Sequence, residues 1–104
     1  MTTTQTELAF PREVIETATR LGLVNYLPEV VRLSQDLFGV SPRLFAEVDP
    51  EIPDYYYLVV EVRIADDVEE AARKDRFWHR AMRAIVKNSP HGFCLSIDFD
   101  HDRR

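Results

Sequence analysis

Apolar positions along this chain switch period repeatedly, and each switch marks an element. Val14, Ile15, Ala18 and Leu21 recur at helical spacing. Pro11 suits a first helical position and Gly22 a left-handed cap, so the pattern predicts a helix over 11–21. Leu27, Val30, Val31, Leu37 and Phe38 form a second helical stripe that stops at Gly39. Asn25 is its expected N-cap, and Pro28 falls early enough to be tolerated. The short turn between the two predicts an αα-hairpin.

The period then drops to two. In residues 43–48, Leu44, Ala46 and Val48 share one face, and Phe45 and Glu47 the other. Residues 49–54 contain Pro50 and Pro53, which fit a rigid connection and not a central strand. Residues 55–64 are rich in aromatic and β-branched side chains, the composition of a half-buried pleated surface. Tyr56, Leu58, Val60, Val62 and Ile64 fall on one side, and Tyr55, Tyr57, Val59, Glu61 and Arg63 on the other.

A third helix is expected from Asp66 or Asp67 to about residue 88, with Asp66 and Glu69 in capping-box spacing. Its apolar stripe reads Val68, Ala71, Ala72, Trp78, Met82, Ile85 and Val86. Pro90 and Gly92 close it, and alternation from Phe93 to Phe99 predicts a last strand. The order ααββαβ implies an α+β, two-layer single domain. The final strand–helix–strand unit should be a right-handed parallel crossover and the first two strands antiparallel, giving a three-stranded mixed sheet with helices mainly on one face. Residues 1–10 are expected to be a tail, 11–100 the domain and 101–104 a short charged tail.

The totals narrow the picture. A chain of 104 residues fits one domain with one core. The net charge of −5 opposes nucleic-acid binding over the whole surface. Cys94 is the single cysteine, so no internal disulfide can form, and it is expected to pack as a small apolar residue. No apolar run approaches a membrane span and no secretion signal is visible, so a soluble, cytoplasmic protein is expected.

Charge is unevenly spread. Residues 73–87 hold Arg73, Lys74, Arg76, Arg80, Arg83 and Lys87 against one acid, Asp75. On the third helix Arg73, Arg76, Arg80, Arg83 and Lys87 fall within about 80° of arc, bordered by Phe77. This ridge would suit an acidic protein partner or, as a weaker reading, the phosphates of RNA. Helix-dipole complementarity and the i,i+4 pairs Glu69–Arg73 and Glu70–Lys74 also account for such an order of charges.

Three further features are candidates for chemistry. Asp75 and His79 lie one turn apart inside the apolar stripe, where a carboxylate could orient an imidazole; a self-satisfied structural pair is the alternative. Asp66, Asp98, Asp100, His101 and Asp102 gather toward the carboxyl edge of the expected sheet. Oxygen ligands there could hold Mg²⁺ or Mn²⁺ for a metal-dependent hydrolase or nuclease reaction. His91 decorates a turn. The face of the sheet away from the helices carries Phe45, Tyr55, Tyr57 and Val59, an apolar patch of the kind that marks a contact surface. No cofactor is expected. The reading that follows is an interaction module binding a protein partner or itself, with the metal-dependent hydrolase as the alternative.

Overall fold

A computed structural model describes residues 10–86 and 92–100. Helix α1 spans Arg12–Leu21, and a 3₁₀ turn over Val24–Tyr26 leads into α2, Leu27–Phe38. Strands β1 (Arg43–Val48) and β2 (Tyr56–Ile64) follow, then α3 (Val68–Ile85) and β3 (Phe93–Phe99). The expected order ααββαβ is therefore the observed one. The sheet runs β1-β2-β3, antiparallel between β1 and β2 and parallel between β2 and β3. No described helix is long and apolar enough to cross a membrane.

The αα-hairpin closes as its glycines require. Gly22 adopts φ 76°, Leu23 N donates to Ala18 O at 2.7 Å and Gly22 N to Thr19 O at 3.1 Å, the bond pair of a Schellman motif. Leu23 is thereby turned into the core, 1% exposed. Asn25 does not cap α2. The 3₁₀ turn already satisfies backbone donors, with Tyr26 N bonded to Leu23 O at 3.0 Å, so the chain enters α2 without a side-chain cap. Ile15 is exposed, because α1 turns Val14, Thr17 and Ala18 inward instead.

The connection from β1 to β2 is built, not loose. Asp49 Oδ1 accepts from Glu51 N at 2.7 Å and Ile52 N at 3.1 Å. Asp49 N donates to Tyr55 O at 2.8 Å, and Asp54 sits at φ 64°. An Asx turn and two prolines fix this tip. The inner face of the sheet, Leu44, Leu58, Val60, Val62, Ile64 and Phe93, joins Val14, Ala18, Leu27, Val30, Phe38, Ala71, Trp78 and Met82 in one core. All three helices thus contribute to the same side of the sheet.

Helix α3 departs from expectation at both ends. Its N-cap is Asp67, whose carboxylate accepts from Glu70 N at 2.8 Å, not Asp66. Asp66 instead meets Lys74 Nζ at 2.8 Å. The helix stops at Ile85, where Val86 leaves helical geometry and buries its side chain. The buried stripe is also narrower than expected. Ala71, Trp78 and Met82 are buried, whereas Val68 and Ala72 are exposed. The spacing 71, 78, 82 faces α2, and Val68 and Ala72 lie on one flank of it.

Candidate interaction surfaces

The outer face of the sheet is ordered by strand register. Phe45, Val59 and Cys94 are aligned across the three strands, and Glu47 lies opposite Tyr57 in the next row toward the hairpin. Val59 is 6% exposed yet lies outside the helix-covered core. Its burial comes from flanking side chains on both neighbouring strands, which a central strand allows. Tyr55 continues the patch, its ring centroid 6.2 Å from that of Tyr57. Cys94 is exposed on this face, so it does not pack inside the domain.

Toward the other end the same face becomes ionic. Arg43 Nε lies 3.1 Å from Glu61 Oε1, and Arg63 Nε 3.3 Å from Asp98 Oδ2. The Arg43 guanidinium also lies 4.8 Å from the Phe45 ring centroid, joining the two halves by a cation–π contact. The outer face is therefore divided. An aromatic and aliphatic half adjoins the hairpin, and two ion pairs occupy the rest.

Tyr57 sits at the centre of the aromatic half. Partial desolvation, and then the charge of Glu47, raise its hydroxyl pKa above the ordinary tyrosine value. The hairpin adds apolar area that sequence reasoning missed, since Val48 and Ile52 are both about half exposed. Val48 does alternate onto the inner face, but it ends an edge strand beyond the helical cover. Ile52 is held out by the Asx turn. A β-branched residue between two prolines was the available signal.

The α3 ridge lies elsewhere. Arg76 and Arg80 fall roughly half a turn round the helix from Ala71, Trp78 and Met82, so the ridge points away from the core. The outer sheet face points away from the same core on the other side. The two expected contact surfaces are thus separate. Lys87 lies outside the described residues.

The expected pairs Glu69–Arg73 and Glu70–Lys74 do not form. Arg73 Nη1 reaches Glu70 at 2.7 Å, one residue nearer, and Lys74 is taken by Asp66. Arg76, Arg80 and Arg83 have no hydrogen bond or ion pair to another described residue. With Asp75 and His79 they line a shallow groove of about 290 Å³. Phe77 is half exposed on the ridge's other flank.

Comparison with known protein families, with curated proteins and with solved structures gives no match to this chain. The remaining candidates are accordingly judged on geometry. Asp75 Oδ1 and His79 Nδ1 are 3.6 Å apart, and both side chains are about half exposed. They border the buried stripe without interrupting it, and the His79 ring lies 5.1 Å from that of Trp78. The pair is a solvated one at the groove's edge.

At the carboxyl edge, Asp66 faces Lys74 and Asp98 faces Arg63, while Asp100 N extends the sheet by bonding Ile64 O at 2.7 Å. Among the described residues no three histidine, cysteine or acidic side chains come together as metal ligands. His91, His101 and Asp102 lie outside the described residues.

Proposed function

We propose that this chain is a protein-interaction module that buries the aromatic half of its outer sheet face against a second polypeptide, either another copy of itself or a different chain. The observation that carries this reading is the aligned row Phe45, Val59 and Cys94 with Tyr57 and Tyr55 beside it, on a sheet face to which no described helix contributes. An aromatic area bordered at one end by ion pairs suits a protein contact surface, where rigid rings supply area and neighbouring polar groups supply register. The rigid hairpin supports the same reading, because an ordered tip loses little entropy on docking.

The test is a single substitution at the row. Phe45 is partly buried and lies against Val59, so Phe45→Asp should lower the melting temperature and association is read well below the midpoint, with Tyr55→Asp, at a 42% exposed neighbour, as the milder variant. Wild-type protein should self-associate in sedimentation experiments, or retain a defined partner on co-purification from its native cell, and Phe45→Asp should abolish whichever is seen. A strict monomer at high concentration that retains no partner sinks the reading. So does an association that Phe45→Asp leaves intact.

A further inference from the structure

The cationic groove of α3 is independent of the sheet face and has its own chemistry. Arg76, Arg80 and Arg83 stand at i, i+4 and i+7 and span about 10 Å along the helix. The positions three and four residues from each hold alanine, phenylalanine, valine, histidine, arginine or lysine, and no acid. Intrahelical neutralisation is therefore impossible by sequence. Like charges at these spacings repel, so the isolated helix carries a cost at each pair. The helix dipole does not offset it at Arg76 and Arg80, because its influence is confined to the last turn and α3 ends at Ile85. Elsewhere among the described residues Arg43, Arg63, Arg73 and Lys74 each have a carboxylate, whereas Arg12, Arg20 and Arg32 have none, so what sets the α3 arginines apart is their alignment in one row.

We infer that this groove docks an acidic polypeptide segment. Three unneutralised guanidinium groups in a row complement carboxylates spaced along an extended or helical chain, and each can take a carboxylate in bidentate geometry. Half-exposed Phe77 on one flank offers an apolar contact that a polypeptide can use. Asp75 in the groove and the net charge of −5 oppose a nucleic acid and an acidic peptide alike, so the preference for a polypeptide rests on half-exposed Phe77 and on the match of carboxylates to guanidinium forks, and RNA is the competing outcome of the test. A free phosphate fits less well. The ridge lies along the helix side, and the α3 N-terminus, where backbone N–H groups would bind an anion, is already capped by Asp67.

The experiment uses the full chain and a fluorescently labelled poly-glutamate peptide, read by anisotropy at low salt, with single-stranded RNA of matched charge as the competing probe. The peptide should bind, lose affinity as salt rises, and bind roughly tenfold more weakly to Arg80→Glu. Arg80→Gln, which removes the charge without adding an acid, should show the same loss in smaller measure. Arg32→Glu, the same charge change at an exposed position of α2, should alter affinity less than about twofold, because Arg32 does not line the groove and acts on it only through solvent-screened charge. No peptide binding, an equal loss in Arg32→Glu, or tighter binding of RNA than of peptide would each overturn the inference. Neither result depends on whether Phe45→Asp disrupts the sheet-face contact.

Discussion

Trp78 Nε1 donates a hydrogen bond to Ser34 Oγ at 3.1 Å, and Ser34 Oγ donates onward to Val30 O at 2.9 Å. Both side chains are buried, and the contact ties α3 to α2 across 44 residues of sequence. A serine in the middle of a helix is otherwise a weak choice, since its hydroxyl competes with the backbone. Here it supplies the acceptor that a buried indole N–H requires. Ser34→Ala should therefore destabilise the domain by about 1–3 kcal/mol, the cost of an orphaned buried donor. Urea titration followed by Trp78 fluorescence measures it. Trp78→Phe removes the donor, so the double variant should lose clearly less than the sum of the two singles. Strict additivity would rule out the hydrogen bond as the coupling.

Two neighbouring carboxylates at the start of α3 do different work, and neutral replacements separate them. Asp67 caps the helix through Glu70 N, a role asparagine can fill, whereas Asp66 holds the Lys74 ammonium, which asparagine cannot neutralise. Asp67→Ala should cost about 1 kcal/mol, and Asp67→Asn less than half as much. Asp66→Asn should cost about 1–2 kcal/mol, because both partners of that pair are largely shielded from water and Lys74 is left uncompensated. Thermal melts of the three variants decide the assignment. Equal losses in Asp66→Asn and Asp67→Asn would mean the roles are misassigned.

The strands were legible because nothing local competes with them. Alternation and β-branched composition predict β1 over residues 43–48, as observed, and β2 to within one residue. The α3 cap was ambiguous for a physical reason. Asp66–Glu69 and Asp67–Glu70 present the same spacing, and the choice rests on Lys74 reaching back two turns, which no local pattern encodes. The width of the buried stripe was likewise set from outside, by where α2 lies against α3, so Val68 and Ala72 read as core and are not. For the surfaces, helical periodicity alone aligned Arg76, Arg80 and Arg83. The division of the outer sheet face into aromatic and ionic halves follows from cross-strand register, which places Arg43 opposite Glu61 and Arg63 opposite Asp98.

Gly92, just before β3, is buried against Leu23. A β-carbon there would overlap the Leu23 side chain, which is itself 1% exposed and has little room to turn aside. Gly92→Ala should destabilise by about 1–3 kcal/mol through overpacking. Leu23→Val withdraws the colliding atoms, so Gly92→Ala combined with Leu23→Val should be less damaged than the two single losses predict. Denaturant midpoints give the comparison, and additive losses would place the cost of Gly92→Ala somewhere other than this contact.

Glu47 and Tyr57 face each other across β1 and β2, and their coupling should be visible in alkali. The folded protein holds the Tyr57 proton more tightly than the unfolded chain does, through partial desolvation and then the charge of Glu47. Between the ordinary tyrosine pKa and the raised one, the native state binds more protons than the unfolded state. Stability therefore falls as pH rises through that window, and the effect is absent below it. Glu47→Gln removes one of the two main causes and should move the Tyr57 transition down toward the ordinary value. It should also soften the alkaline loss of stability. Tyrosinate absorbance, with Tyr57→Phe to assign the step among the four tyrosines, reads the shift directly. A Tyr57 transition unmoved by Glu47→Gln would leave desolvation and the lesser charges of Cys94, Asp49 and Tyr55 as its causes, and would argue that the Glu47 carboxylate is turned away from the aromatic half of the outer face.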